Sequence, residues 1–338
     1  MSYRVRPVLS DDFQAIYEMA KLTGGGFTNL PPDRGALVDK LARSEGAFAR
    51  EEEKQTDDLF MFVVEKANGQ IRGTCQIFGM IGSEWPFYSY RISTLTQTSK
   101  ALKRVFRAEM LTLVTDFDGA SEVGGLFLHP NERASGLGLL LARSRYLFIK
   151  QHRKRFGDRL IAELRGVIDE AGGSPFWDAI AGRFFGMSFQ EADEFNASHG
   201  NQFIADLMPK TPIYTAMLPE SARSVMGVPH PSGRAAMKML EREGFGYDCY
   251  IDIFDGGPTM SVATDQVKTI RESRRLKLAA TSDEVGGEPW IMSTGHLANY
   301  RACYGHLRVE ADETATVQTA DAALLGIEPG DSFDAMGR

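Results

Sequence analysis

The pattern of hydrophobic and polar residues near the N-terminus indicates short strands joined by a tight turn. Residues 59–65 (LFMFVVE) and 71–78 (IRGTCQIF) are rich in β-branched and aromatic residues, and each is long enough for one strand. Asn68-Gly69 lies between them, and this pair is typical of a hairpin turn because both residues tolerate positive φ. A third run, 85–94, alternates aromatic and polar positions. Successive strands of this kind predict an antiparallel sheet.

A strand, a polar turn and an amphipathic helix come next. The strand covers residues 121–128 and ends before His129-Pro130. The helix carries an apolar stripe at i, i+3, i+4 and i+7 spacing, formed by Leu137, Leu140, Leu141, Ser144, Leu147 and Phe148. A further strand is predicted at 160–168, and Ser174-Pro175 is a typical helix start. The predicted fold class is therefore α+β, with a mixed, mainly antiparallel sheet flanked by helices.

Two changes in the sequence pattern predict how the chain divides into domains. Residues 190–230 have weak periodicity and contain four prolines, which favours an insertion. Beyond about residue 262, a short helix leads into short strands, which we interpret as a small β-rich C-terminal domain. The predicted domains are residues 1–262, including the insertion, and residues 263–338.

Composition and charge exclude several classes of partner. The 338 residues carry a net charge of −7, which argues against a nucleic-acid partner because such proteins usually present a basic face. Basic residues do cluster, at Lys268, Arg271, Arg274, Arg275 and Lys277, with a spacing that suits one exposed side of a helix. A solvated helix face is favoured there over a phosphate-binding patch.

The three cysteines and the longest apolar run bear on location. Cys75, Cys249 and Cys303 form no CxxC pair, and we expect them to be buried structural thiols. The longest apolar run, 137–149, is interrupted by two arginines, so it predicts no membrane span. With no secretory leader visible, a cytoplasmic location is expected.

The motif with the most chemical content is RASGLG, formed by Arg133, Ala134, Ser135, Gly136, Leu137 and Gly138. It follows a strand and precedes an amphipathic helix, so its amides can form a concave nest for a pyrophosphate, aided by the helix N-terminus. A purely structural glycine turn is the alternative. A dinucleotide site would need GxGxxG after the first strand of a parallel βαβ unit, so acyl-CoA is favoured over NAD.

This R-x-x-G-x-G turn resembles the acyl-CoA signature of the GNAT acyltransferase superfamily, and the chain closely resembles its arginine N-succinyltransferase family. The resemblance implies a GNAT-like fold and covers most of residues 1–275. The stretches that carry it are Thr23-Gly24-Gly25-Gly26, 121–130, 165–170, 174–177, 243–245 and 250–258 (YIDIFDGGP). The glycine turn departs slightly from relatives, which often have Gly-Asn-Gly, but the small residues are kept.

The resemblance also implies site residues. Leu126 occupies the place of a leucine that contacts succinyl-CoA, and an amide near Leu126 to Leu128 is the natural donor to the developing oxyanion. His230, in GVPHP, matches a histidine that acts as proton donor. A histidine that merely caps a helix is the alternative interpretation. His129, also followed by proline and close to the glycine turn, ranks second as proton donor.

Substrate contacts are less readable from the sequence. A guanidinium is best held by a carboxylate, and a succinyl carboxylate by arginine or lysine. The candidates lie on or just after the 160–168 strand; they are Glu163, Arg165, Asp169 and Glu170. Structural or solvated roles are the alternative for all four.

The expected reaction is direct transfer of succinyl from succinyl-CoA to the α-amino group of L-arginine, the entry step of arginine catabolism. No permanently bound cofactor and no metal site are expected. Two alternatives stay open: a related acyltransferase that acts on ornithine or another amine, and a non-catalytic acyl-CoA-binding subunit. The sequence leaves open a homo-oligomer or a paralogous partner subunit.

Overall fold

The computed structural model describes residues 2–23, 29–133, 136–199 and 202–337. The strands are β1 (Tyr3–Pro7), β2 (Leu59–Lys66), β3 (Ile71–Phe78), β4 (Ser89–Ser99), β5 (Arg104–Val114), β6 (Ser121–Leu128), β7 (Arg159–Glu163), β8 (Ile213–Tyr214), β9 (Gly246–Asp252), β10 (Pro258–Ala263), β11 (Arg274–Thr281), β12 (Trp290–Thr294), β13 (Arg301–Gly305), β14 (Leu307–Val309), β15 (Thr314–Val317) and β16 (Ser332–Gly337). The helices are α1 (Phe13–Lys21), α2 (Arg34–Ala49), α3 (Leu137–Gln151), α4 (Pro175–Ala179), α5 (Gly182–Phe185), α6 (Phe189–His199), α7 (Gln202–Leu207), α8 (Glu220–Arg223), α9 (Arg234–Arg242), α10 (Lys268–Glu272) and α11 (Thr319–Leu325).

The chain divides into two compact units, each built from separate stretches of sequence. The first unit comprises residues 1–80, 121–158 and 263–338, and the second comprises residues 81–120 and 159–262. One division between the units coincides with the predicted boundary at 262/263. Whether residues 1–262 and 263–338 are domains in the predicted sense stays a prediction.

The first unit contains a sheet in the order β14-β15-β11-β16-β12-β13-β1-β2-β3-β6. Strands β2 and β3 form the predicted hairpin, in which Gly69 has φ +80° and the amide of Lys66 donates to the main-chain oxygen of Gln70 (2.9 Å). Strand β13 pairs with β1, so the C-terminal strands extend the N-terminal sheet. The strand pairs are antiparallel except for β11 with β15. The predicted mainly antiparallel α+β class is confirmed.

Successive residues of β2 pack into different clusters, because alternate residues of a strand point to opposite faces. Met61 and Val63 of β2 pack into a core cluster with residues of α1 and α2. Phe60 and Phe62 contact Phe148 of α3, with ring centroids 5.1 Å apart in both pairs. Helix α3 is thereby held by its apolar stripe, as the sequence predicts.

The second unit contains a sheet in the order β7-β10-β9-β4-β5-β8 and a helical core around Trp177. Ser174 caps α4 by accepting from the amide of Trp177 (3.2 Å), as predicted. In the segment 190–230, α7 and α8 bury residues such as Ile204 and Ala222 in this core. The segment therefore packs as part of the unit despite its weak periodicity.

Several local predictions are wrong. The strand expected over 160–168 ends at Glu163, because Gly166 then forms only an isolated bridge with Pro229, whose missing N–H cannot extend a ladder. The third run begins as β4 at Ser89 rather than at residue 85, and its partner β5 was not predicted.

The basic cluster and one cysteine also differ from expectation. Helix α10 ends at Glu272, so Arg274, Arg275 and Lys277 lie on β11 and not on a helix face. Cys249 is exposed, whereas Cys75 and Cys303 are buried as expected. None of the helices in the described residues combines the length and apolar composition of a bilayer-spanning segment.

Candidate active site

In the first unit, the glycine turn leads directly into α3. Gly136 is the N-cap residue of α3 and adopts φ +78°, a conformation that glycine reaches without strain. Its main-chain oxygen accepts from the amide of Leu139 (3.1 Å) and from Oη of Tyr304 (2.8 Å). The first amides of a helix lack intrahelical acceptors, so this turn presents donors and the positive end of α3.

A buried carboxylate anchors the segment before the turn. Glu132 is 8% exposed and accepts from Oη of Tyr3 (2.6 Å), while Nζ of Lys66 lies 2.8 Å from its other oxygen. The hydrogen bond and charge of Lys66 are the leading cause that lowers the pKa of Glu132, so it stays ionised. The segment that leads into the turn is therefore fixed to β1 and β2.

The predicted residues of this turn occupy different environments. Arg133 is exposed, Leu137 is buried and Gly138 is partly buried. Ala134 and Ser135 lie outside the described residues. Leu137 packs into the protein, and contact of the exposed Arg133 with a phosphate stays a prediction.

Strand β6 contains a β-bulge at the predicted acyl contact. The β3–β6 register pairs Thr74 with Phe127 and Gln76 with Gly124, so two residues, Gly125 and Leu126, oppose a single residue of β3. Gly125 has φ +57°, and a Cβ there would lie 2.7 Å from the side chain of Gln76, so only glycine fits. Leu126 is partly buried and Leu128 is buried. The bulge takes main-chain groups near Leu126 out of the ladder.

The sequence interpretation missed a polar group beside this bulge. Nζ of Lys40, on α2, donates to the main-chain oxygen of Asn29 (2.7 Å) and to Oε1 of Gln76 (3.4 Å). Nε2 of Gln76 donates to the same Asn29 oxygen (2.9 Å). A lone lysine on a helix carries no sequence signal, and the proximity depends on how α2 packs against the sheet.

In the second unit, His230 is held by its own loop and by the segment after β7. Its amide donates to the main-chain oxygen of Arg165 (2.8 Å), and its Nδ1 lies 2.7 Å from Oγ of Ser232. Partial burial, and then the charge of Arg165, lower the pKa of His230. The ring is therefore largely neutral at neutral pH, with Nδ1 engaged and Nε2 outside this contact.

The capping interpretation of His230 also has structural support. Its Nδ1 accepts weakly from the amide of Ser232 (3.3 Å) at the start of the 3₁₀ helix Pro231–Gly233. His129 has the same local geometry before the 3₁₀ helix Pro130–Glu132, with Nδ1 accepting from the amide of Asn131 (3.4 Å). Capping thus accounts for both histidines locally, and only a functional measurement separates them.

Asp255, in the YIDIFDGGP stretch, ties together the loops around His230. Its carboxylate accepts from the amides of Gly166 (2.7 Å) and Gly257 (2.8 Å), and Gly166 forms the bridge with Pro229, next to His230. Burial, followed by the charge of Asp252, raises the pKa of Asp255 to about 7. The sequence marked this stretch as specific to the family but not as a support for the histidine.

The four predicted substrate contacts differ in what they do. Arg165 neighbours His230, as described above. Asp169 accepts from the amides of Ala171 (2.9 Å) and Gly173 (2.8 Å), a turn-stabilising role. Oε1 of Glu163 lies 3.5 Å from Oγ1 of Thr259, and Glu170 is exposed. Arg165 is brought closest to the candidate histidine, and contact of any of the four with substrate stays a prediction.

Three residues of types that bind metals do come together in the first unit. Ligand atoms of Glu53, His152 and His296 lie within 4.8 Å of one another. However, Oε1 of Glu53 already accepts from Nε of Arg155 (3.0 Å) and lies 3.1 Å from Nδ1 of His152. A guanidinium on the same oxygen repels a cation, so we assign no metal to this cluster.

Comparison with known proteins adds independent evidence. A family model described as arginine N-succinyltransferase beta subunit matches residues 3–269, and one described as the C-terminal domain of that subunit matches residues 274–336. Arginine N-succinyltransferase subunit beta of Pseudomonas aeruginosa is 39% identical over 332 residues, which are 98% of this chain and 97% of the relative. Arginine N-succinyltransferase of Citrobacter koseri is 40% identical, with 94% and 92% covered. The solved structure of arginine/ornithine succinyltransferase subunit AI from Pseudomonas aeruginosa matches with a TM-score of 0.91 at 31% identity, covering 99% of this chain and 98% of that one.

Proposed function

This chain belongs to the arginine N-succinyltransferase beta subunit family and is an acyltransferase with a GNAT-like fold, and we propose that it transfers succinyl from succinyl-CoA to the α-amino group of L-arginine. The products are N2-succinyl-L-arginine and CoA. The family predicted from the sequence is confirmed. Among structural features, the turn that ends in the left-handed N-cap Gly136 supports the proposal most, because it suits an acyl-CoA diphosphate.

Binding of the donor falls to the first unit. The turn before α3 offers main-chain N–H groups and the helix N-terminus to the pyrophosphate, and Arg133 adds a charge-assisted contact. The bulge at Gly125 and Leu126 offers main-chain N–H groups that are not needed by the ladder. We assign the amide of Leu126 to the thioester oxygen, which becomes anionic when the amine attacks.

The proton balance defines the role of His230. The α-ammonium group must lose one proton before its nitrogen attacks the thioester carbon and a second as the amide forms. The C–S bond breaks, and the CoA thiolate takes up one proton, so the reaction releases one proton overall. His230, neutral at rest, takes up one of the amine protons at Nε2 and passes it to the thiolate, since an imidazole titrates near working pH.

The contact with Ser232 keeps the His230 ring oriented while its charge changes. The hydroxyl can accept from a protonated Nδ1 or donate to a deprotonated one, so the 2.7 Å contact persists in both states. When Nδ1 donates to the hydroxyl, Nε2 is the nitrogen that gains and loses the proton. The lowered pKa of His230 makes its imidazolium a stronger acid toward the thiolate.

Release of free CoA thiol from succinyl-CoA, measured continuously with L-arginine, tests the proposal. We expect His230→Ala to lower kcat by about 10²–10⁴-fold, the usual contribution of a positioned proton donor. His129→Ala is a matched control, because it removes the same kind of 3₁₀ cap; its kcat should change by only a few-fold.

Two outcomes would overturn the proposal. Succinyl-CoA binding without any thiol release would identify a non-catalytic acyl-CoA-binding subunit. Equal losses in the two histidine variants would show that capping, rather than proton transfer, explains the effect.

Ornithine is the second candidate acceptor. The structural relative from Pseudomonas aeruginosa is described as an arginine/ornithine succinyltransferase, which is the observation that favours it. Initial rates with arginine, ornithine and lysine, each with succinyl-CoA and with acetyl-CoA, separate the two. A higher kcat/KM for ornithine would reassign the acceptor while keeping the acyltransferase.

A further inference from the structure

Two cationic side chains lie beside the β6 bulge. Lys40 is partly buried, and among the described residues its Nζ donates to the oxygens of Asn29 (2.7 Å) and Gln76 (3.4 Å), both neutral. Arg145 of α3 is 4% exposed, and its Nη1 donates to the main-chain oxygen of Gly124 (3.1 Å). Among the described residues, the hydrogen bonds of both cations go to neutral oxygens, and the carboxylate beside them is that of Glu122, whose Oε1 lies 3.2 Å from the position of a Cβ on Gly124. Two cations therefore lie near one carboxylate, and because buried charges are generally paired, one positive charge remains in excess at the bulge.

The two residues that accept from Lys40 lie against the bulge. Gln76, which accepts from Lys40, is the residue whose side chain lies 2.7 Å from the position of a Cβ on Gly125. Asn29, the other acceptor, lies 3.0 Å from the corresponding position on Gly124. Both acceptors of Lys40 therefore pack against the glycines of β6, where the acyl carbonyl is proposed to bind.

Lys40 also has an unused donor and keeps its charge. An ammonium group has three N–H donors, and two acceptors are found among the described residues. Desolvation, followed by the charge of Arg43, lowers the pKa of Lys40 to about 8, while the charge of Glu122 acts in the opposite direction. At pH 7 the group is still mostly protonated.

We infer that Lys40 binds a carboxylate of a substrate at the β6 bulge, an inference that rests on the proposed function. Two carboxylates are available in the proposed reaction: the terminal group of the succinyl chain and the α-carboxylate of arginine. Either would supply the missing negative charge and use the third N–H of Lys40. The side chain would then select the anionic substrate over a neutral one of the same shape.

Two matched pairs of substrates distinguish the succinyl carboxylate from the α-carboxylate of arginine. Butyryl-CoA has the four acyl carbons of succinyl-CoA without the carboxylate, and L-argininamide has arginine's shape with a neutral amide in its place. Affinity by calorimetry and kcat/KM by thiol release are to be measured for both pairs with the wild type, Lys40→Met and Lys40→Arg. Arg43→Met, on an exposed position of the same helix, is the control for loss of a cation.

We expect Lys40→Met to reduce the preference for one carboxylate-bearing substrate by about tenfold to a hundredfold, with Lys40→Arg restoring part of it and Arg43→Met leaving it unchanged. A changed succinyl-to-butyryl ratio assigns the acyl carboxylate, and a changed arginine-to-argininamide ratio assigns the acceptor carboxylate. If a folded Lys40→Met variant changes neither ratio, the inference is wrong. Because calorimetry requires no turnover, a wild type that binds but releases no thiol would overturn the proposed function while the affinity ratios still decide on Lys40.

Discussion

Replacement of Lys40 by methionine is expected to stabilise the folded protein, because it removes a desolvated charge and keeps a side chain of similar length. In the folded state desolvation, aided by Arg43, lowers the pKa of Lys40 from 10.5 to about 8. A difference of about 2.5 pH units corresponds to roughly 3.4 kcal/mol at 1.36 kcal/mol per unit. The Asn29 oxygen loses one donor but keeps Nε2 of Gln76 (2.9 Å). With allowance for partial exposure and the lost hydrogen bonds, the free energy of unfolding should rise by about 1–3 kcal/mol at pH 7.

The pH dependence of this gain has a defined sign. Below pH 8, Lys40 is charged in both the folded and the unfolded states, so the full penalty of burying the charge is present in the wild type. Between pH 8 and 10.5, the unfolded chain keeps a proton that the folded protein has released, so wild-type stability rises with pH relative to the variant. The advantage of methionine should therefore narrow progressively above pH 8.

Urea unfolding, followed by tryptophan fluorescence at pH 7, 8.5 and 10, measures this gain. Arg43→Met is the control, and its effect should stay within about 0.5 kcal/mol because Arg43 is exposed. A Lys40→Met variant that is less stable than the wild type at pH 7 would refute the reasoning, since it would mean that Lys40 stabilises the fold. A gain that does not vary with pH would show that charge burial is not its cause.

Two further substitutions and one chemical modification test other parts of the structure. Gly125→Ala places a Cβ at φ +57°, which costs about 1–2 kcal/mol of stability, and the steric contact with Gln76 adds to this cost. We expect the substitution to lower kcat far more than it lowers the affinity for CoA. Thiol release measures kcat, and calorimetry measures the affinity. Unchanged kcat would contradict the assignment of the bulge. Burial and a neighbouring aspartate raise the pKa of Asp255 to about 7, so between about pH 4 and 7 the folded protein holds a proton that the unfolded chain has lost. The wild type should therefore lose stability relative to Asp255→Asn as pH rises from 5 to 7.5, and a constant difference in urea unfolding would disprove this. A thiol reagent should modify Cys249 alone in the native protein, with Cys75 and Cys303 reacting only after unfolding; prompt reaction of all three would contradict the described burial.

Local chemistry explains which elements the sequence predicted. The β2–β3 hairpin follows from two β-rich runs separated by Asn68-Gly69, and the observed strands begin at the predicted residues. Strand β6 was predicted with the observed bounds, and the apolar stripe of α3 follows from a period of 3.6 residues. The glycine turn between them could be located because Gly136 is needed where the backbone turns left-handed.

Features that depend on pairing between distant residues could not be predicted from the sequence. Strand β7 ends at Glu163 because Gly166 meets Pro229, a contact between residues 63 positions apart. Strand β5 was missed although most of its residues are apolar, because charged residues interrupt the run and its first four residues are exposed; its pairing with β4 reveals it. Similarly, the basic residues after Glu272 belong to a strand because their register with β16 decides it.

The sequence by itself thus determined the hairpin, the glycine turn before α3 and the family, since each depends on residues that lie close together along the chain. Only the tertiary structure decided that β6 bulges at Gly125, that Asp255 supports the loop of His230, and that Lys40 lies beside this bulge with neutral hydrogen-bond acceptors. Those three features join residues that are distant along the chain. Their environments of burial, charge and hydrogen bonding exist only after the sheet and helices have packed.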